Sequence, residues 1–341
     1  MKSIPVEEAV GLVICHDITE IIPGQRKGVA FKKGHVVKPE DVPRLLSLGK
    51  ENLYVWSDQP KGLVHEDDAA KRLAAAISGP NIVFGEPSEG RINLKAQIQG
   101  LAVVNLDLLD AVNDLPEITV ATVHTLREVA AGQELAGTRV IPLCAKEESV
   151  SGVEKLCLAD GPLVSVLPFK SHKVGVVTTG SEVYKGRIED AFTPVLRKKF
   201  AAWGSEVAFH CLAPDETEAT VSAINQALES GATMVAVTGG MSVDPDDKTP
   251  AAIKRVCGEV VTYGAPMFPG AMFMLGYRGD IPVMGLPGCV MYKKASIFDL
   301  VLPRLLAGQR LTRRDFRSLG HGGYCESCPE CHFPNCSFGR G

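Results

Sequence analysis

From about residue 168 the chain alternates short apolar segments with amphipathic ones, and this alternation constrains the fold more than any other feature. "KVGVVTTG", "EVAFHCLA", "TMVAV" and "EVVTYG" each have the length and β-branched content of a buried strand. Between the first two, Phe192, Val195, Leu196, Phe200 and Trp203 recur at helical spacing, with Thr193 and Pro194 suiting a helix start. Asp215 with Glu218 forms a capping pattern ahead of Val221, Ile224 and Leu228, and "TPAAIKRVC" supplies a further helix. Strands separated by helices pair in parallel, because each crossover must return to the same edge of the sheet. The expectation is therefore an α/β fold with a doubly wound, mostly parallel sheet. "AMFMLGYRGDIPVMGLPG" adds two strands around a turn at Gly279, and "KKASIFDLVLPRLLAG" a closing helix.

The rest of the chain lacks this rhythm. Residues 1–57 read as an N-terminal α+β module, with "VEEAVGLVICHDI" and "KPEDVPRLLSLG" as short helices and "NLYVW" as a strand. After a polar break at "SDQPKG", residues 58–166 read as a second α+β module containing the helix "HEDDAAKRLAAAI" and the alternating run "INLKAQI". Residues 167–308 form the α/β domain, and 309–341 a cysteine-rich tail.

Charge narrows the function classes. A formal net charge of −4, with both signs interspersed, gives no general attraction to nucleic acid or to an anionic membrane. No apolar leader and no run of about 18 apolar residues is present, so a cytoplasmic protein is expected. Any anionic ligand must then be held by a local site.

Ligands of open α/β sheets sit beyond the carboxyl ends of the strands. Four loops fall there: "TTGSE", "APDE", "TGGMSVDPDDKTP" and "GLPG". Gly239 and Gly240 let main-chain amides approach a phosphate, and Thr238 and Ser242 can donate hydroxyl hydrogen bonds. The loop carries neither of the usual dinucleotide or Walker glycine patterns. Asp244, Asp246 and Asp247, with Asp215 from the neighbouring loop, can place hard oxygen ligands around Mg²⁺; equally, they can cap the next helix and solvate a turn.

Six of the ten cysteines are scattered; Cys325, Cys328, Cys331 and Cys336 crowd the tail at C-x2-C-x2-C-x4-C, with His332 adjacent. Four such thiols can surround Zn²⁺ or an iron-sulfur cluster, or remain a free redox-buffering tail.

Taken in order, "VGVVTTGSEV", "LAPDETEATVSAI", "VAVTGGMSVDPDDKTP" and "GLPGCVMY" resemble the molybdopterin-binding domain shared by molybdopterin adenylyltransferases, molybdopterin molybdenumtransferases and gephyrin, over roughly residues 170–308. The first module also resembles segments of the molybdenumtransferases. The resemblance implies a site for molybdopterin or its adenylate, Mg²⁺-assisted phosphoryl chemistry and a homo-oligomer. By motif position it assigns Asp215 and Asp247 to catalysis; Asp215, Asp244 and Asp247 to Mg²⁺; and Thr179, Gly180, Ser181, Glu182, Thr238, Gly239, Gly240, Ser242, Pro287 and Gly288 to cofactor binding. The departures are equally specific. A lysine-bearing "KPGKP" segment reads "MFPGAM" here, with Phe268 and Ala271 in place of cations, and "LPGNP" reads "LPGCV". Loss of two cations weakens stabilisation of an oxyanion. Two functions are therefore expected in competition: a molybdenumtransferase-like enzyme of cofactor synthesis, or a non-catalytic carrier or insertion chaperone serving a client molybdoenzyme.

Overall fold

The computed structural model describes every residue except Met1, Pro23, Gln25, 56–60, Val243, Asp246 and Gly341. The polar break after the first module, the end of the "NLYVW" strand and Asp246 thus lie outside the described residues. Two compact units emerge: Met1–Gln97 with Val104–Thr125 and Gly132–Ser165, and Ile98–Val103 with Leu126–Ala131 and Val166–Gly341.

In the first unit, Lys2–Pro5 pairs antiparallel with Asn52–Val55, and Ile18–Ile22 with Arg26–Phe31. The helix expected across "VEEAVGLVICHDI" is instead one 3₁₀ turn, Val6–Ala9, followed by bridges at Val13 and Ile14. Gly11, at φ +83°, ends any helix there, and the β-branched residues after it pair as strand. Pro39 does open a helical turn and Gly49 closes it at φ +73°. A four-stranded antiparallel sheet runs Ile82–Phe84, Arg91–Ala96, Glu134–Val140, Ile118–Thr122. Two helices of this unit, Glu66–Ile77 and Glu147–Asp160, are joined by Arg72, which donates to both Glu147 and Glu154 at 2.7–2.8 Å.

The second unit contains the expected α/β domain. Its elements are β1 (Lys173–Thr179), α1 (Phe192–Ala201), β2 (Glu206–Ala213), α2 (Thr217–Glu229), β3 (Met234–Thr238), α3 (Thr249–Val256), β4 (Glu259–Tyr263), β5 (Met274–Arg278), β6 (Ile281–Leu286) and α4 (Ile297–Leu306). The sheet order is β2-β1-β3-β6-β5-β4. The pairs β1/β2, β1/β3 and β3/β6 are parallel, whereas β5/β6 and β4/β5 are antiparallel. The parallel part is buried on both faces, which is why its strands read as continuous apolar runs. Val174 and Val176 join one core with Phe200 and Phe298; Val177 joins the other with Ile224 and Ala227. Period-two alternation along a strand accounts for this division.

The tail continues this unit. Residues Arg313–Arg317 form a short helix capped by Thr312 and Asp315, and Phe316 and Phe338 are buried in the core beneath β1 and α4. Among the described residues no helix is long and apolar enough to cross a membrane.

Candidate functional site

The winding of the sheet reverses between β1 and β3: β2 follows β1 on one flank, and β3 returns on the other. That reversal leaves a crevice at the carboxyl ends, where Thr179–Gly180 and Thr238–Gly239 emerge side by side. Gly239 and Gly240 take φ +85° and +53°. A Cβ on Gly239 would stand 2.0 Å from the Thr179 carbonyl oxygen, and one on Gly240 2.9 Å from Thr249 Oγ1. The turn is thus bare main chain pressed against β1, a conformation and a clearance that only glycine allows.

A cleft of about 740 Å³ opens over this turn. Thr179, Gly180, Ser181, Glu182, Asp215, Gly239, Gly240, Asp244 and Asp247 all line it. A second lobe of about 520 Å³ shares Phe192, Gly239, Gly240 and Asp247, and adds Ser242, Pro287 and Gly288 with the apolar walls of Met272 and Tyr292. The sequence motifs therefore do converge, although they come from four separate loops. Among the described lining residues, the larger lobe carries seven carboxylates against one cation, Lys248. Among the described lining residues of the smaller lobe, Asp247 is the one charged residue.

Thr238 is fully buried at the end of β3; among the described residues its hydroxyl has no hydrogen-bond partner, and it does not line either lobe. Asp215 does not cap α2, whose N-cap is Glu216 without a side-chain hydrogen bond. Its Oδ2 instead accepts from the Ser181 amide at 2.7 Å, tying two loops of the cleft together. Asp247 Oδ2 accepts from the Asp244 amide at 3.0 Å, while the Asp247 amide donates back to the Asp244 carbonyl. These carboxylates organise the loops, and among the described residues no three His, Cys, Asp or Glu side chains are gathered as ligands for one metal ion. The same holds for the tail. Cys325, Cys328, Cys331 and Cys336 line one hollow together with His332, yet no three of them converge on one ion position.

Asp190 also faces the cleft and was not singled out from sequence. It is 11% exposed, accepts from the amides of Phe192 and Thr193 at 2.8 and 3.2 Å and from the hydroxyl of Thr178 at 3.1 Å, and pairs with His210 Nε2 at 3.0 Å. Burial alone would raise its pKa, but the hydrogen bonds from Thr193, Phe192 and Thr178 outweigh it and hold the carboxyl below the usual range. The available signal was its spacing, two and three residues ahead of the first amides of α1.

The geometry defines a ligand-binding α/β domain with a glycine turn at its switch point. Residues 175–307 match the family described as "Probable molybdopterin binding domain", and residues 3–57 match a domain of unknown function. A molybdopterin adenylyltransferase of Pyrococcus furiosus is 30% identical over 143 residues, 38% of this chain and 84% of that protein. A molybdopterin molybdenumtransferase of Staphylococcus aureus is 28% identical over 138 residues, 38% of this chain and 33% of that protein. The solved structure of a molybdopterin biosynthesis enzyme from Thermus thermophilus is 24% identical, covering 40% of this chain and 98% of that one with a TM-score of 0.35. The chain spans about a fifth (22%) of the length of the mycobacterial CinA-like proteins it also matches at 27% identity over 28% of this chain. The chain belongs to the molybdopterin-binding domain family of molybdenum cofactor biosynthesis.

Proposed function

We propose that the two-lobed cleft binds molybdopterin or its adenylate and acts on it as a molybdenumtransferase-like enzyme. The observation that carries this reading is the bare glycine turn Gly239–Gly240, which leaves main-chain amides as the donors nearest an incoming phosphate. Ser181 and Ser242 stand on either side of it to supply further polar contact. The second lobe, walled by Phe192, Met272 and Tyr292, suits a flat heterocycle.

The charge of the larger lobe bears on Mg²⁺. Seven carboxylates repel a phosphate unless a cation stands between them. Among the described residues no carboxylate cage is present, but Mg²⁺ is commonly held by one or two carboxylates together with substrate phosphate. Asp247, which borders both lobes, and Asp215, which lines the larger one, fit that role. When bound, the ion would supply charge neutralisation at the phosphate; the chain's residues hold the ligand and fix the loops around it. On this reading a client molybdoenzyme and a homo-oligomer remain part of the biology, as in the family expectation.

One observation favours the carrier reading. Ala271 lines the second lobe where the resemblance leads one to expect a lysine, and among the described lining residues no cation is there to stabilise an oxyanion. Incubation of the purified protein with adenylylated molybdopterin, Mg²⁺ and molybdate, following AMP release, separates the two. Turnover is expected to exceed that of Asp247→Ala by roughly a hundredfold, the scale of losing an electrostatic contact to the reacting group. Tight ligand binding with no AMP release above the variant would leave a carrier.

A further inference from the structure

The tail and the segment that follows β6 line a hollow of about 300 Å³ whose charge is the reverse of the cleft's. Lys293 and Lys294 stand on its wall, and among the described lining residues there is no carboxylate, although Glu326 and Glu330 belong to the same tail. The hollow is built into the domain. The Phe268 amide donates to the Gly323 carbonyl and the Cys325 amide to the Phe268 carbonyl, both at 2.8 Å, pinning the start of the tail to the turn before β5. At its other end Phe338 is 3% exposed, and Phe333 packs against it edge-on at 6.3 Å.

A second pair of cations adjoins that wall. Arg127 Nη2 donates to Asn335 Oδ1 and Arg340 Nη2 to the Pro334 carbonyl, so the two guanidiniums grip adjacent residues of the segment between Phe333 and Cys336. Both acceptors are neutral, and among the described residues no carboxylate pairs with either arginine. Arg127 Nε is buried without a hydrogen-bond partner among those residues. Burial, and then the nearness of Arg127, hold the Arg340 guanidinium below its usual pKa, with Cys336 acting in the opposite direction. Cations withdrawn from water without a counter-charge are costly, and a bound anion reduces that cost. The rest of the wall decides what body the anion has. Tyr292, Phe333 and Phe338 present rings, and the free thiols between them act as small apolar surfaces. A volume of about 300 Å³ is at the lower end for small-molecule sites, which is room for one ring.

We propose that the tail hollow binds a small organic anion, a single aromatic ring bearing a phosphate or carboxylate group, with Lys293 and Lys294 meeting the charge and Tyr292, Phe333 and Phe338 the ring. Arg127 and Arg340 add a positive field on the side of Cys336. Pro269 and Tyr292 line both this hollow and the second lobe of the cleft, so an occupant fixes a wall that the two spaces share. The proposal does not depend on what the cleft binds.

The test is calorimetric titration of the full chain with phenyl phosphate, benzoate, uncharged phenol and inorganic phosphate, together with iodoacetamide labelling of Cys328 and Cys331, the two exposed thiols of the hollow, followed by mass spectrometry. At least one of the two ring anions is expected to bind about tenfold or more tightly than phenol and to slow labelling of both thiols, and the tighter of the two names the head group. Inorganic phosphate, lacking the ring, is expected to bind more weakly than phenyl phosphate. The double variant Lys293→Gln, Lys294→Gln, at exposed positions, is expected to keep the parent circular dichroism and to lose about tenfold in affinity for each charged contact removed. The proposal is overturned if neither ring anion binds, if phenol or inorganic phosphate binds as tightly, if the folded double variant binds as the parent does, or if binding leaves the labelling of Cys328 and Cys331 unchanged, which would put the anion elsewhere.

Discussion

Asp190 shows how one carboxylate can serve both stability and site geometry. It anchors the first amides of α1 and the hydroxyl of Thr178, and it pairs with His210, all at the rim of the cleft. Asp190→Asn is expected to cost about 1–3 kcal/mol at pH 7, because buried donors lose an ionised acceptor. The pH dependence has a definite sign. Since the folded carboxyl titrates below the unfolded one, its contribution is complete above the unfolded value of about 3.9 and is lost as pH falls through the folded value. Urea titrations of parent and variant should therefore differ at pH 7 and draw together as pH falls below the ordinary carboxylate range; a constant gap would mean that the charge is not the cause. Asp190 was hidden in the sequence because its partners Thr178 and His210 lie on two different strands. By contrast, Gly239 and Gly240 were legible, since a glycine pair after an apolar strand has few other uses.

At the level of elements, the packing of α2 on β1 sets how closely the cleft loops approach. Gly175 lets this happen: a Cβ there would stand 2.6 Å from the Cβ of Ala227. Gly175→Ala is expected to destabilise the domain by about 1–3 kcal/mol through overpacking, read as a lower urea midpoint at unchanged slope. An unchanged midpoint would show that α2 can retreat freely. The parallel strands and their helices were readable from periodicity because burial on both faces forces continuous apolar runs. The antiparallel addition of β4 to β5 was not, since an edge strand and an inner strand can share the same composition. Nor was the first segment's lack of a helix, where Gly11 and β-branched neighbours outweigh a helical spacing of apolar residues.

Across the whole molecule, the last residues complete the α/β unit. Phe338 fills its core from two residues before the described end, alongside Phe316 and Leu311. Phe338→Ala is expected to cost about 3–5 kcal/mol and to lower the melting temperature by roughly 10 °C; a change within error would place the tail outside the cooperative fold. Sequence by itself determined the α/β class, the four cleft loops and the grouping of cysteines, because periodicity, glycine and thiol spacing act locally. Only the tertiary structure decided that Thr238 is buried at the end of β3, that Asp215 braces Ser181, and that the tail cysteines line one hollow beside the cleft. Those outcomes depend on which distant segments meet, and the sheet order, not local propensity, sets that.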